Sequence, residues 1–129
     1  MTKINLVPPQ ELCDQHLLAE HRELVRIPNA IVKGRAVVDL ASIPSQFVLG
    51  TGHVRFFYNK LMFLNFRYTA LYVECLRRGF AVTHSFPLEA CRCAQLFNNY
   101  TPTEQAIALS RARIAERMPV KARFTQHRY

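Results

Sequence analysis

Two arginines, a glutamine, a histidine and one carboxylate fall on one side of a helical pattern near the start of the chain. On a wheel of about 100° per residue, Gln15, Arg22 and Arg26 lie within about 40° of one another. His16 and Glu23 lie beside them. Arginines at i, i+4 offer planar forks of donors to anionic oxygens, so this arc suits phosphate binding. The alternative is a solvated helix face on which Glu23 only pairs with Arg22 or Arg26.

A second pair of arginines at i, i+4, Arg113 and Arg117, lies near the other end of the chain. Ala106 and Ser110 continue the same stripe, and such small residues allow a backbone or a DNA strand to approach closely. Exposed arginines without a particular role are the alternative. Six of the 17 cations lie in the last nineteen residues against one acid, Glu116, so this end of the chain is suited to phosphates.

The chain has 129 residues and a formal net charge of +8; half of its residues are hydrophobic and a fifth are charged. This composition predicts one folded domain over residues 1–129 and excludes a disordered chain. No apolar run approaches the ~18 residues of a membrane span, and residues 1–9 lack the pattern of a signal peptide. We expect no membrane contact and a polyanionic partner such as nucleic acid. The expected location is the cytoplasm, at nucleoid DNA, or the host cytoplasm if the source is viral.

The four cysteines, Cys13, Cys75, Cys91 and Cys93, show no pattern of metal ligation. Zinc sites use paired ligands at C-x2-4-C or H-x3-5-H spacing, whereas Cys91 and Cys93 are separated by one residue and have no second pair. Disulfides are disfavoured because there is no secretory signal. We therefore expect reduced thiols and no bound metal.

The central element predicted by the sequence is a helix from His53 to Arg78. Its apolar residues are spaced alternately by three and four, which is the helical period. They are Val54, Phe57, Leu61, Leu64, Tyr68, Leu71 and Cys75. Gly79 follows as the left-handed cap.

Two further helices flank this element. The first runs from about Gln10 to Arg26 and is predicted to stop at Pro28. The last begins at a capping box, Thr101–Glu104, with proline as its first helical residue, and ends at about Met118. Residues 28–52 and 80–100 are predicted to be irregular, with at most a short helical turn near Pro44. No segment alternates with period two, so we predict an all-α fold with three main helices.

Several short runs of residues, taken in chain order, form a pattern typical of one known family. They are Met1-Thr2-Lys3-Ile4-Asn5-Leu6, Asp14-Gln15-His16-Leu17, Arg22-Glu23-Leu24, Gly52-His53-Val54, Arg78-Gly79-Phe80 and Ala112-Arg113. The chain resembles, over residues 1 to about 118, the phage-type pyrimidine-dimer DNA glycosylases historically called endonuclease V. The resemblance implies an all-α domain whose N-terminal segment is inserted between helices, with no metal and no organic cofactor.

The resemblance also implies an activity and its residues. Members of the family cleave the glycosidic bond of the 5′ nucleotide in a UV-induced cyclobutane pyrimidine dimer and then nick the abasic site by β-elimination. The nucleophile is the α-amine of Thr2, exposed by removal of Met1, and the acidic catalytic residue maps onto Glu23. The residues that match DNA-contacting positions are Lys3, Gln15, His16, Arg22, Arg26, Arg113 and Arg117. The implied partner is double-stranded DNA with pyrimidine dimers or abasic sites, bound by a monomer.

Acid–base chemistry makes an α-amine a sensible nucleophile. Its ordinary pKa of about 7.7–8.0 leaves roughly a tenth to a fifth uncharged at pH 7, against well under ~0.1% for a lysine. We expect the cations at Lys3, Arg22 and Arg26 to lower this pKa further. Two other functions remain open from the sequence: an abasic-site lyase or glycosylase for other damaged pyrimidines, and a non-catalytic DNA-binding module.

Overall fold

The computed structural model describes residues 2–129, and all regular secondary structure within them is helical. The α-helices are α1 (Asp14–Leu24), α2 (Arg26–Val32), α3 (His53–Phe56), α4 (Leu61–Arg77) and α5 (Glu104–Glu116). Short 3-10 helices cover Pro9–Glu11, Leu40–Ser42 and Leu88–Arg92. The predicted all-α class is confirmed, and α1, α4 and α5 are the three longest helices. Among residues 2–129, none of the helices has the length and apolarity needed to cross a membrane.

The predicted helix from His53 to Arg78 is in fact two helices, α3 and α4, separated by a turn at residues 57–60. The Lys60 amine donates to the Phe56 carbonyl oxygen at 2.8 Å and so closes the turn. The first amides of α4, which lack acceptors within the helix, donate to carbonyls of residues 96 and 98. The apolar seam continues across the turn because both helices pack against one core: Phe57, Leu61, Leu64, Leu71 and Cys75 are all fully buried.

The prediction that Pro28 stops the first helix is wrong, because Pro28 is the third residue of α2. Backbone N–H groups in a first helical turn have no acceptor within the helix, so a proline there sacrifices no hydrogen bond. The break falls instead at Val25, and the irregular connection begins only after Val32. The first helix also begins later than predicted, because α1 starts at Asp14, after the 3-10 turn.

The last helix begins two residues later than the capping box predicted. The Thr103 hydroxyl, rather than Thr101, caps α5 by accepting the Ala106 N–H at 3.0 Å, which leaves Pro102 outside the helix. The helix ends at Glu116, close to the predicted end. The short helical turn expected near Pro44 is the 3-10 helix over Leu40–Ser42.

The N-terminal segment, residues 2–7, has no regular secondary structure and lies between helices, as predicted. Its polar groups are satisfied by side chains rather than by a neighbouring strand. The partners are His53 for the Ile4 N–H, Ser110 for the Leu6 N–H, Arg113 for the Ile4 carbonyl, Arg67 for the Val7 carbonyl and Glu20 for the Asn5 side-chain amide. Buried polar groups of the backbone and of side chains require such partners, so these five side chains determine where the segment lies.

The C-terminal tail, residues 117–129, is attached to α1 and to the end of α4. Thr125 donates through both its backbone N–H and its hydroxyl to the carboxylate of Asp14. His127 bonds to Glu74, and the buried Arg78 guanidinium joins Asp14 to Glu74. Burial alone raises the pKa of Asp14, but the hydrogen bonds from Thr125 and Arg78 hold it below its ordinary value.

The four cysteines are free, as predicted. Cys13 and Cys75 lie in the core, and Cys91 is exposed. Burial raises the pKa of the Cys75 thiol to about 11, so this group is a protonated, packed side chain at neutral pH.

Two buried histidines make the stability depend on pH. Burial lowers the pKa of His21 and His53 below the ordinary value of 6.5, so the unfolded chain binds more protons near pH 6. The free energy of unfolding is therefore greatest above about pH 6.5 and falls with decreasing pH, by up to about 1.4 kcal/mol per pH unit for each histidine. His21→Phe keeps a ring against Tyr68 and Tyr72 but does not titrate.

We expect urea unfolding at about pH 7.5 and about pH 5.5 to show a smaller loss of stability in His21→Phe than in the unmodified chain. An equal or larger loss in the variant would show that His21 is not the source of the dependence.

Candidate active site and DNA-binding surface

An open cleft of about 180 Å³ lies where the N-terminal segment meets α1 and α5. Its lining residues are Lys3, Asn5, His16, Ala19, Glu20, Glu23, Arg113, Ile114 and Arg117. Five of the nine residues proposed from the sequence are therefore together: Lys3, His16, Glu23, Arg113 and Arg117. The fold unites both ends of the chain with the face of α1 on which the arginine arc was predicted.

Three cations face this cleft and lie close enough to influence one another. Burial and the positive charges of Arg117 and Arg113 lower the pKa of Lys3, whereas Glu23 opposes that change. Burial also lowers the pKa of Arg113, but a guanidinium stays charged at neutral pH. The cleft therefore concentrates positive charge around a small opening, as a site for an anionic substrate requires.

Two carboxylates line the cleft, and they differ in burial and in the number of hydrogen bonds that they accept. Glu20 is 2% exposed and receives two hydrogen bonds from Arg67, at 2.7 and 3.0 Å, and one from Asn5 at 2.8 Å. The Glu23 side chain is 16% exposed and contacts the Arg22 guanidinium at 3.3 Å. The alternative of a solvated pair thus accounts for one contact of Glu23, but that carboxylate also faces the cleft.

Arg113 and the small residues before it admit a protein backbone. Ser110 accepts the Leu6 N–H at 2.9 Å, and Arg113 donates to the Ile4 carbonyl oxygen at 3.3 Å. The sequence left open whether a backbone or a DNA strand approaches these small residues. In the structure, the backbone of the N-terminal segment does so. Arg113 is buried, so an exposed arginine without a role does not describe it, whereas Arg117 is exposed at the cleft.

Thr2 is buried and directly precedes Lys3, a lining residue of the cleft. Consecutive Cα atoms are about 3.8 Å apart, so the Thr2 backbone lies within one residue of the lining. The expected removal of Met1 concerns a residue outside the described range. The catalytic role of Thr2 stays a prediction, and its place in the chain is compatible with that role.

Gln15 and His16 hold the C-terminal tail. The Gln15 side-chain amide donates to the Lys121 carbonyl oxygen at 2.8 Å and accepts the Arg123 N–H at 3.1 Å. The His16 Nε2 bonds to the Arg117 carbonyl oxygen at 3.2 Å. Their predicted contact with DNA stays a prediction; both side chains position a cationic tail beside the cleft.

Arg22 and Arg26 are exposed and do not line the cleft. Arg22 is adjacent to it through its contact with Glu23, and Arg26 is the first residue of α2 rather than part of α1. Their exposure leaves both guanidinium groups accessible to phosphates along a duplex, so their predicted role also stands as a prediction.

The sequence did not identify the buried polar side chains that support the cleft. Glu20 lies between Leu17 and Leu24 on the buried face of α1, and Arg67 lies between Leu64 and Leu71 on α4. A charged residue within an apolar seam is the signal that could have predicted this ion pair, because such residues are rarely buried unless paired. Among residues 2–129 no group of three or more His, Cys, Asp or Glu side chains is placed to hold a metal ion.

The fold and the cleft define a small, basic, helical protein with a cationic site suited to an anionic ligand. A family model described as pyrimidine dimer DNA glycosylase matches residues 1–88. The chain therefore belongs to the pyrimidine dimer DNA glycosylases, a family of DNA repair enzymes. The matched region contains Thr2 and Glu23 and the predicted contacts on α1, whereas Arg113 and Arg117 lie beyond it.

The attachment of the tail to Gln15 can be tested directly. Gln15→Ala removes two hydrogen bonds worth about 1 kcal/mol each, so the Arg123 amide should exchange with solvent roughly tenfold to thirtyfold faster. Hydrogen exchange followed by NMR measures this rate. Arg26→Ala, on an exposed side chain away from the tail, is the control, and equal exchange in both variants would contradict the assigned contact.

Proposed function

We propose that this protein excises the 5′ base of a UV-induced cyclobutane pyrimidine dimer through an imine formed by the α-amine of Thr2, and then nicks the abasic site by β-elimination. It acts as a monomer on double-stranded DNA that contains pyrimidine dimers or abasic sites. Removal of Met1 frees the amine.

The observation that carries this proposal is the burial of the N-terminal segment beside the cleft. The segment is held between helices, and Thr2 directly precedes Lys3, which lines a cleft that also contains an accessible carboxylate, Glu23, and two further cations. An amine held beside its target reacts faster, because folding has already restricted its position and less entropy is lost on reaching the transition state. Membership of the family supports the same substrate.

The proposed chemistry moves only protons and electron pairs. The uncharged amine attacks C1′ of the 5′ nucleotide while the glycosidic bond breaks, and the base takes up a proton but stays joined to its neighbour by the cyclobutane ring. The sugar opens at O4′, which is protonated, and the new C1′–N bond becomes an imine. Loss of a C2′ proton then expels the 3′ phosphate oxygen, and water releases the amine.

Glu23 supplies the negative charge that this reaction needs. A carboxylate beside the sugar stabilises the positive charge that develops as the glycosidic bond breaks. It then exchanges protons during ring opening and elimination. Lys3, Arg113 and Arg117 bind the flanking phosphates, so the cleft combines phosphate binding with one free carboxylate.

Reduction of the imine by borohydride tests the nucleophile. We expect a covalent complex between the unmodified protein and a duplex with one dimer, and no complex when the α-amine is acetylated. Lys3→Arg is the control: among the described lining residues Lys3 carries the one side-chain amine, and arginine keeps its charge. The complex should persist in this control.

The outcome also separates the alternative functions. No complex with any damaged duplex would indicate a non-catalytic DNA-binding module. A complex with abasic DNA but not with a dimer would indicate an abasic-site lyase or a glycosylase for other damaged pyrimidines. A complex that survives acetylation but is lost in Lys3→Arg would assign the nucleophile to Lys3.

The role of Glu23 is tested by Glu23→Gln, which keeps the shape of the side chain and removes its charge. We expect base excision to slow by about 10²- to 10³-fold, because the developing positive charge loses its stabilising partner. Binding of dimer-containing duplex should stay within about threefold, since the cations are unchanged. Glu116→Gln removes one exposed carboxylate from α5 and is the control for net charge. Equal excision rates in the two variants would refute the role of Glu23.

A further inference from the structure

The histidine of the Gly52-His53-Val54 run is buried, and both of its ring nitrogens are hydrogen-bonded. Its Nδ1 lies 2.8 Å from the Val48 carbonyl oxygen, and its Nε2 lies 2.9 Å from the backbone nitrogen of Ile4. A carbonyl oxygen only accepts, so Nδ1 carries the proton and donates it to Val48. The lone pair on Nε2 is then the acceptor for the Ile4 N–H.

The surroundings of His53 hold the ring in one place. The rings of Phe47 and Phe57 meet it edge-on, with centroids 5.4 and 5.5 Å away. Gly52 before it has φ +91°, and a Cβ there would lie 3.2 Å from Pro44, so this compact turn favours glycine. Burial lowers the pKa of His53, in keeping with a neutral ring whose Nε2 accepts.

The bond from Ile4 to His53 is the backbone anchor nearest to Thr2. Among the described residues, Ile4 is the first in the chain whose N–H has a hydrogen-bond partner. The Ile4 carbonyl accepts from Arg113 at 3.3 Å, so this peptide is held through both of its polar groups. Ser110 holds the Leu6 N–H, but that contact is two residues further from the chain end.

We propose that His53 is a positioning residue that, through its Nε2, holds the N-terminal segment so that the Thr2 amine faces the sugar. The inference rests on the proposed function, because it assigns to His53 the placement of that nucleophile. A displacement of about 1 Å can cost roughly 10²-fold in rate even when binding is unaffected. His53 therefore acts on the rate of imine formation and not on the affinity for DNA.

Three substitutions at His53 separate its two hydrogen bonds. His53→Phe keeps the ring and loses both bonds. His53→Gln places an acceptor near the position of Nε2, and His53→Asn places polar atoms only near the position of Nδ1. In single-turnover borohydride trapping on an abasic duplex, we expect His53→Phe and His53→Asn to be about 100-fold slower than the unmodified protein, and His53→Gln to recover to within about tenfold.

Affinity and stability are measured on the same variants. The Kd for a duplex with a reduced, uncleavable abasic site should stay within about threefold in all of them, since the cations of the cleft are retained. Thr103→Ala removes the cap of α5 without touching the N-terminal segment and serves as the control for a loss of stability. Its trapping rate should stay within about twofold of the unmodified protein.

A measurement on the unmodified protein keeps the inference testable if a variant fails to fold. Imidazole ¹⁵N NMR should show the proton of His53 on Nδ1, and a scalar coupling should connect the Ile4 amide to Nε2. A proton on Nε2 would overturn the inference, since that nitrogen would then be unable to accept.

The outcomes distinguish this inference from the function on which it rests. If the unmodified protein forms no trapped complex, the proposed function fails and the role of His53 fails with it. If it does form one and His53→Phe traps at the same rate, or loses affinity in proportion to rate, then only the positioning role is wrong. Slow trapping with unchanged Kd, and rescue by glutamine but not asparagine, would establish it.

Discussion

Much of this architecture follows from the burial of an N-terminal segment that has no regular secondary structure inside a helical protein. Residues 4–7 are buried, and within residues 2–129 no strand lies beside them to accept or donate. Unpaired polar groups in such a place cost free energy comparable to a lost hydrogen bond each. Helices α1, α3, α4 and α5 therefore each direct a polar side chain inward, and Glu20, His53, Arg67 and Ser110 are the partners that result.

The same constraint shapes the cleft. Arg113 serves twice, because it holds the Ile4 carbonyl and also faces the cleft beside Lys3. Glu20 is buried and held by three hydrogen bonds from Arg67 and Asn5, whereas Glu23, one turn further along α1, has one contact and is the more accessible lining carboxylate. Glu20, paired with Arg67 of α4, and Glu23, the proposed catalytic carboxylate, are thus neighbours on α1, and they differ in burial and in hydrogen-bond partners.

Helical periodicity and charge predicted the all-α class, the three longest helices and four of the lining residues, and the family resemblance added Lys3. They did not predict the turn at residues 57–60, because the apolar spacing continues unbroken from α3 into α4. The start of α4 is recognised only in the structure, where its first amides donate to the carbonyls of Leu96 and Asn98. The prediction for Pro28 was wrong because a proline interrupts a helix only where its missing N–H would have formed a hydrogen bond. In the first turn of α2 it removes none. Gln15 was predicted to contact DNA from its position on a helical wheel. A wheel describes one helix alone, so it does not show that the C-terminal tail contacts Gln15.

We propose that the nitrogen of Thr2, and not the neighbouring amine of Lys3, attacks the sugar. Digestion of the borohydride-reduced protein–DNA complex, followed by tandem mass spectrometry of the N-terminal peptide, locates the sugar remnant. We expect the remnant on the α-nitrogen of a chain that begins at Thr2. A remnant on Lys3 Nζ, or an adduct on a chain that still carries Met1, would contradict it.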